Sequence, residues 1–299
     1  MLKVLVTGAS GFIGKNLIAN LGSTYQFVNL RRGEDINEIK EFDAIIHLAG
    51  LAHDLKNTNK SQDYYRVNTH LTNKIFDNFI ASDASVFITL SSVKAAADKV
   101  VGELSEDYSP NPITDYGKSK LLAEKYILSK NLPKGKRVYI LRPCMVHGAG
   151  NKGNLNLLYQ IVSKKIPWPL GAFDNKRSFC SIDNLTFVIN ELISRDDIPS
   201  GIYNVADDEP LATNQIIELI AQSKRVKTKI YNIPPPFINT IAKLGDVLML
   251  PLNSERLQKL TDSYVVSNSK LKKALAKPLP LSSSEGLLKT FKFFNQRAH

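Results

Sequence analysis

Residues 3–14 read KVLVTGASGFIG, and this stretch decides the fold. Lys3–Gly8 is a short run of strand type, and Gly8, Gly11 and Gly14 then recur every third residue before an amphipathic helical pattern over 12–21. Gly8 suits the sharp turn out of a strand, Gly11 a close approach of backbone N–H groups to a pyrophosphate, and Gly14 tight packing of helix on sheet. The diphosphate then sits at the positive end of the helix dipole. An ordinary tight turn is the competing reading, and the strand before and helix after the glycines argue against it. Ser10, Phe12 and Ile13 are counted with the glycines as cofactor residues.

Outward from this turn, short apolar runs alternate with helical patterns. QFVNLR, AIIHLAG, VFITLSS and VYILRP read as further strands, with helices near 61–81 and 116–130. Strands this rich in apolar and β-branched residues are expected between two layers of helices, which gives an α/β fold: a Rossmann-type, doubly wound parallel sheet. Residues 1–170 are assigned to a nucleotide-binding domain. Residues 171–299 form a smaller α+β substrate-binding region, with some segments returning to the first domain. Gly, Asn and Pro cluster over 148–175 as long loops flanking a helix, helices are expected near 183–195, 213–223 and 236–248, and GIYNVA is a weak strand. The second strand ends in NLRRGED, where such folds usually place an acid for the adenosine ribose. Arg31 and Arg32 stand there instead, suited to a 2′-phosphate, so NADP(H) is favoured and NAD(H) remains possible. Asp35 and Ile36 are placed against the adenine, and Leu48, Ala49 and Gly50 beside the cofactor.

Composition narrows the function. The chain has 299 residues, 43% hydrophobic and 22% charged, enough for a sizeable core in a soluble globular protein. No apolar run approaches the length of a membrane span, and FINTIAKLGDVLML reads as a packed or interface helix. Without a signal-peptide cleavage site and with only Cys144 and Cys180, a cytoplasmic location is expected, with no disulfide framework and no metal site. The net charge of +11 is spread without a nucleic-acid-binding signature, so small anionic ligands account for it better.

TDYGKSKLLAEK, residues 114–125, puts Tyr116 and Lys120 one helical turn apart on one face. TLSSVK ends a strand about two dozen residues earlier, so Ser91 or Ser92 can meet Tyr116 at the mouth of the cleft. A ketone oxygen gains a proton as hydride arrives, and the alcohol loses one in reverse. Tyrosine, near pKa 10, is poorly matched to neutral pH, and the Lys120 ammonium together with the positively charged nicotinamide ring is expected to lower it.

With the glycine turn, the serine and the YxxxK helix in this order, the chain resembles the extended short-chain dehydrogenase/reductase family over almost its whole length. LRPCMVHGAGNKGN, PLGAFDNKRSF and SIDNL resemble its nucleotide-sugar group of 4-epimerases and 4-keto-sugar reductases. The resemblance implies a catalytic Ser92, Tyr116 and Lys120, with Ser91 lining the substrate site. It further implies that Lys120 and Tyr116 touch the cofactor, that Pro143 lies near the nicotinamide, and that Asn68 matches a family asparagine. Asn154 and Arg177 resemble groups that hold a nucleotide diphosphate, with Arg256 a third candidate. Asp183 is expected to cap a helix. KAAADK replaces a segment that usually ends in Tyr-Gly, and His147, standing where VYG is typical, is expected to make local hydrogen bonds.

The favoured reaction is NADPH-dependent reduction of a C4 keto group on a nucleotide-linked, by resemblance UDP-linked, 6-deoxy or N-acetyl hexose for surface polysaccharide. A UDP-hexose 4-epimerase with tightly bound NAD is the alternative. An inactive dinucleotide-binding redox sensor is the reading from another class, and the retained Tyr116 and Lys120 argue against it. The resemblance implies a homodimer that pairs through two helices per chain, one of them the Tyr116 helix.

Overall fold

A computed structural model describes residues 1–31, 33–34, 41–52, 60–151, 155–248 and 253–297. In chain order the elements are β1 (Lys3–Thr7), α1 (Phe12–Leu21), β2 (Gln26–Leu30), β3 (Ala44–His47), α2 (Ser61–Tyr64), a π-helical turn (Tyr65–His70) and α3 (Leu71–Ala81). β4 (Val86–Leu90), a 3₁₀ turn (Val93–Ala95), β5 (Glu103–Leu104), α4 (Asp115–Leu128), β6 (Arg137–Pro143), β7 (Met145–His147) and α5 (Leu155–Ser163) follow. The remainder is β8 (Phe179–Ser181), α6 (Ile182–Ser194), β9 (Gly201–Val205), α7 (Thr213–Lys224), α8 (Pro235–Leu248), α9 (Ser254–Thr261), β10 (Val265–Val266), α10 (Ser269–Leu275) and α11 (Ser283–Arg297).

The main sheet is parallel, in the order β2-β1-β3-β4-β6-β9. Chain order reverses between β1 and β3, so the crevice of a doubly wound sheet opens past Thr7 and His47, which are register partners. Alternate strand residues enter two different cores. Val4, Val6 and Ile46 join the core that includes Leu17 of α1 and Leu185 and Ile189 of α6. Leu5, Ile45 and Phe87 join Phe76, Phe79 and Ile127 of α3 and α4 on the other face. Period-two strands between two helical layers have this pattern, and the buried phenylalanines contribute about 1.5–3 kcal/mol each.

A third core holds the substrate side together, through Trp168, Leu158 of α5, Ile217 of α7, Ile238 of α8 and Phe291 of α11. β9, the GIYNV segment, pairs with β6 as an edge of the main sheet, although it follows segments of the smaller region in sequence. The sequence suggests a helix surface at Arg256 and marks no other helix beyond 248; α9 carries Arg256, and α10 and α11 follow it. α9 buries Leu257 alone, so its apolar period is too thin to read and the packing comes from tertiary neighbours. No helix among the described residues is long and apolar enough to cross a membrane.

His47 fastens three elements at the crevice. Its Nδ1 lies 2.7 Å from Thr7 Oγ1 on β1 and its Nε2 2.9 Å from Thr72 Oγ1 on α3. Burial, then the Lys120 charge, pushes its pKa down to about 3, so it is neutral in the folded protein. The unfolded chain protonates first as pH falls below about 6.5, so the stability from neutral His47 is lost between pH 6.5 and 3. His47→Gln should cost about 1–3 kcal/mol at pH 7. In urea unfolding its deficit against the wild type should shrink as pH is lowered through that window; a constant deficit would contradict neutral burial.

Candidate active site

The crevice is a cleft of about 740 Å³ whose lining includes Thr7, Gly8, Ser10, Arg31, Ala49 and Lys74. Gly8 has φ +73°, and a Cβ there would stand 2.6 Å from the Ala49 amide nitrogen. A Cβ at Gly14 would stand 2.6 Å from Ala9 Cα, so α1 comes down onto the turn at a distance only glycine allows. Gly11 is the residue before α1, and its amide donates to Gly8 O at 3.0 Å, which folds the turn under the helix N-terminus. Phe12 and Ile13 begin α1 and pack on the core. This bare-backbone cradle fits a dinucleotide pyrophosphate. Arg31 lines the cleft at the end of β2, and its amide donates to Glu34 Oε2 at 2.7 Å. Leu48 and Ala49 follow β3 on the opposite wall, and at Gly50 a Cβ would stand 3.1 Å from Lys120 Nζ. Arg32, Asp35, Ile36 and Asn154 lie outside the described residues.

Three elements converge on Tyr116. Thr114 caps α4, its hydroxyl accepting from the Gly117 amide at 3.2 Å, and Asp98 accepts from the amides of Ile113 and Thr114 at 2.6 and 3.1 Å. A Cβ at Gly117 would stand 2.4 Å from the Lys94 carbonyl oxygen, so glycine lets the turn after Ser92 press against the first turn of α4. Ser92 then hydrogen-bonds the Tyr116 side chain, and the Tyr64 ring meets that of Tyr116 edge-on at 6.0 Å. Lys120 Nζ donates to Leu90 O at 2.8 Å, one step before the two serines. Burial, resisted by the Glu124 carboxylate, pushes Lys120 down to about 8.

Within the protein itself, burial is the largest influence on Tyr116 and raises its pKa, the Ser92 hydrogen bond opposes the rise, and Tyr64 adds to it. The Lys120 ammonium donates to the Leu90 carbonyl. Ser91, expected to line the substrate site, instead donates its hydroxyl to Glu124 Oε1. Neighbouring residues of an extended segment face opposite sides, so with Ser92 on Tyr116, Ser91 faces the layer behind it.

That layer contains a polar unit that the sequence reading missed. Glu124 accepts from Arg142 Nε at 2.9 Å and Nη2 at 2.5 Å, with both side chains 2% exposed. Glu124 continues the 116, 120 face by one more turn, and Arg142 is a charge in the buried part of β6; these two signals could have found the pair. Asn68, fully buried in the π-helical turn, clamps the loop after β3 to α4: Oδ1 accepts from Leu51 N at 2.8 Å and Nδ2 donates to Ser119 Oγ at 3.1 Å.

The remaining candidates divide. Pro143 ends β6 in register with Val205, at the same sheet edge as Ser92. Arg177 is partly buried and donates from Nη1 to the Lys259 carbonyl. Burial lowers its pKa, with the Asp262 charge opposing. Arg256 lies exposed on α9. His147 is buried in the core, with Nδ1 2.9 Å from Thr290 Oγ1 on α11 and Nε2 3.5 Å from Asp207 Oδ2. Ser181, not Asp183, caps α6 by accepting from Asn184 N at 3.1 Å, because Asp183 sits in the first turn and pairs with Lys289 at 2.6 Å. No cluster of His, Cys, Asp and Glu among the described residues could hold a metal ion.

Removing one partner of the Glu124–Arg142 pair strands the other charge in the core. Glu124→Gln should cost about 3–5 kcal/mol in chemical denaturation, more than Ser91→Ala. Glu124 opposes the burial shift at Lys120, so in a variant that still folds Lys120 should titrate below about 8. An unchanged Lys120 titration, followed by NMR, would remove the proposed coupling.

The family model for the NAD dependent epimerase/dehydratase family matches residues 4–206. Among curated proteins, a UDP-glucose 4-epimerase of Vibrio cholerae is 29% identical, covering 98% of this chain and 95% of its own. A GDP-6-deoxy-D-mannose reductase of Pseudomonas aeruginosa is 25% identical over 78% of this chain and 83% of its own. Among solved structures, UDP-N-acetylglucosamine 4-epimerase from Bacillus cereus superposes with TM-score 0.78 at 19% identity, covering 99% of this chain and 100% of that one. RMD from Pseudomonas aeruginosa, complexed with NADPH, gives TM-score 0.74 at 22% identity, with coverage of 99% and 100%. These structures establish the Rossmann-type fold. The glycine cradle, the Ser92–Tyr116 contact and the family match together make this chain a member of the NAD dependent epimerase/dehydratase family, an NAD(P)-dependent enzyme of the extended short-chain dehydrogenase/reductase type.

Proposed function

We propose that the protein reduces the C4 keto group of a nucleotide-linked hexose with NADPH, the sugar being a 6-deoxy or N-acetyl hexose on UDP. The observation that carries the direction of the reaction is Arg31, a cation lining the cleft at the end of β2 where an NAD-preferring site would hold an acid. The relatives named above, which act on sugar nucleotides by name, support the substrate class.

The chain's own groups have clear parts in this reaction. The Ser92 and Tyr116 hydroxyls, already hydrogen-bonded to each other, converge on the position of a substrate carbonyl oxygen. Burial keeps Tyr116 protonated at neutral pH, which is the form that donates as the carbonyl becomes an alcohol. Lys120, held by Leu90 O, lies beside Gly50 in the loop after β3. NADPH, when bound, supplies the hydride. Gly8, Gly11 and Gly14 hold its pyrophosphate, Arg31 its 2′-phosphate, and Pro143 flanks the nicotinamide. α4 leaves Leu122 and Leu128 46% and 57% exposed, an apolar outer face consistent with pairing of two chains through this helix.

The 4-epimerase reading keeps support from the Vibrio cholerae relative, which matches along nearly the full length of both chains. One assay separates the two. Purified protein with a UDP-4-keto-6-deoxy-hexose should consume NADPH, followed by loss of nicotinamide absorbance; interconversion of C4 epimers without added cofactor, and no NADPH loss, would select the epimerase. Tyr116→Phe should lower turnover by about 10²–10⁴-fold with NADPH binding retained. Arg31→Ala should weaken NADPH binding about tenfold or more and NADH binding little, and equal effects would show that Arg31 does not read the 2′-phosphate.

A further inference from the structure

The apolar stretch that the sequence marks as a packed or interface helix falls mostly in α8, and only part of its apolar surface is packed. Ile238, Ala242 and Gly245 turn inward, and the first two join the core that includes Trp168 and Ile217. Phe237, Ile241, Leu244 and Leu248 recur at intervals of four, three and four residues, which aligns them as a second apolar stripe on the outer surface. These four side chains are 36–64% exposed, and Val247 beside them is 79% exposed. Side chains this exposed along a helix make a ridge about 16 Å long, and not a groove that would hold a peptide. A continuous apolar ridge in water calls for an occupant.

The surroundings of the ridge are basic. The segment leading into α8 alternates, so that Val226 and Ile230 pack on the core while Lys227, Lys229 and Tyr231 face solvent. The loop after α5 runs alongside it: Trp168 N donates to Lys229 O at 2.8 Å, and Tyr231 N donates to Trp168 O at 2.8 Å. That loop carries Lys164, Lys165 and Ile166 outward. Pro234 closes the step to the ridge, its carbonyl accepting from Phe237 N at 3.1 Å. Residues 160–173 and 222–248 hold seven lysines and arginines against one carboxylate, Asp246, and therefore six of the chain's net +11 charges. Asp246 is itself taken up by Ser254, whose amide and hydroxyl donate to it at 2.9 and 2.5 Å. Glu255 of α9, the helix packed against α8, pairs with Lys259.

We propose that the α8 ridge, with Lys164, Lys165, Lys227 and Lys229 around it, docks on an anionic lipid surface. The apolar side chains enter the boundary between headgroups and acyl chains, and the lysines meet lipid phosphates, as in other helices that lie in a bilayer interface. Charge decides between this occupant and a second copy of the chain. Two such ridges face to face would set a net +6 against another net +6, whereas an anionic bilayer attracts the whole basic surround. The dock is distinct from α4, the helix offered above for pairing of two chains, and it does not depend on which sugar nucleotide the enzyme takes.

The test is co-sedimentation with vesicles of phosphatidylcholine alone and of phosphatidylcholine mixed two to one with phosphatidylglycerol. Wild type should sediment with the anionic vesicles far more than with the neutral ones, and its binding should fall as salt rises from about 0.05 to 0.5 M. Leu244→Asp should bind the anionic vesicles about tenfold or more weakly, because it removes apolar contact and adds a repelled charge. Phe237→Ser, an uncharged change at the other end of the ridge, should weaken binding about fivefold. The double variant Lys227→Gln, Lys229→Gln should lose about twentyfold, near fivefold for each cation. All four side chains are exposed, so NADPH affinity and the mass by light scattering should match the wild type in every variant. Absence of wild-type binding to the anionic vesicles would overturn the dock, as would equal binding to neutral ones or undiminished binding by the ridge variants. A fall in mass for Leu244→Asp or Phe237→Ser would overturn it as well, by giving the ridge to a second copy of the chain.

Discussion

One hydrogen bond, from Lys120 Nζ to the Leu90 carbonyl, ties the Tyr116 helix to the strand that delivers Ser92. Its neighbours make it more than a local contact. Residues 116, 120 and 124 lie one above another on α4, so a single helical face gives Tyr116 to Ser92, Lys120 to the end of β4 and Glu124 to Arg142 on β6. Rotating α4 by one residue, about 100°, would break all three contacts and leave a carboxylate and a guanidinium unpaired in the core. The register of the helix against the sheet, and with it the position of the phenol, is set by charge complementarity inside apolar packing.

Burial and charge compete at each member of this face, and the outcome differs. Lys120 loses solvation and is pushed down to about 8, within reach of neutral pH, because the Glu124 carboxylate offsets part of the penalty. At Tyr116 burial outweighs the opposing Ser92 hydrogen bond, so the phenol keeps its proton. A protonated phenol beside a serine hydroxyl can give a proton to a carbonyl oxygen, as the proposed reduction requires.

The sequence made the nucleotide half legible because its signals are local. Gly8, Gly11 and Gly14 are demanded by backbone approaches within a dozen residues, and the strand-turn-helix around them is set by the same short stretch. Helical spacing puts Tyr116 and Lys120 on one face, and they become legible as a site only when the TLSSVK strand end and the glycine turn are read with them. Ser91 was misplaced because a family likeness puts two serines at the site, while the alternation of an extended segment allows only one to face it. Glu124 and Arg142 were legible in principle, one through spacing and the other as a charge in a buried strand, but each is informative only when the other is known to be opposite. α9 to α11 and the bridge between Arg177 and Tyr264 depend on contacts between segments some eighty to a hundred residues apart, and no local pattern announces them.

The charge of the chain acquires a meaning once the cleft is drawn. A net +11 spread evenly would give only a diffuse field. Here Arg31 and Lys74 both line the cleft that the glycine turn opens. Cations thus gather where a phosphate-bearing ligand would enter. A dinucleotide matches that distribution, because its anionic groups meet the glycine turn and these two side chains together.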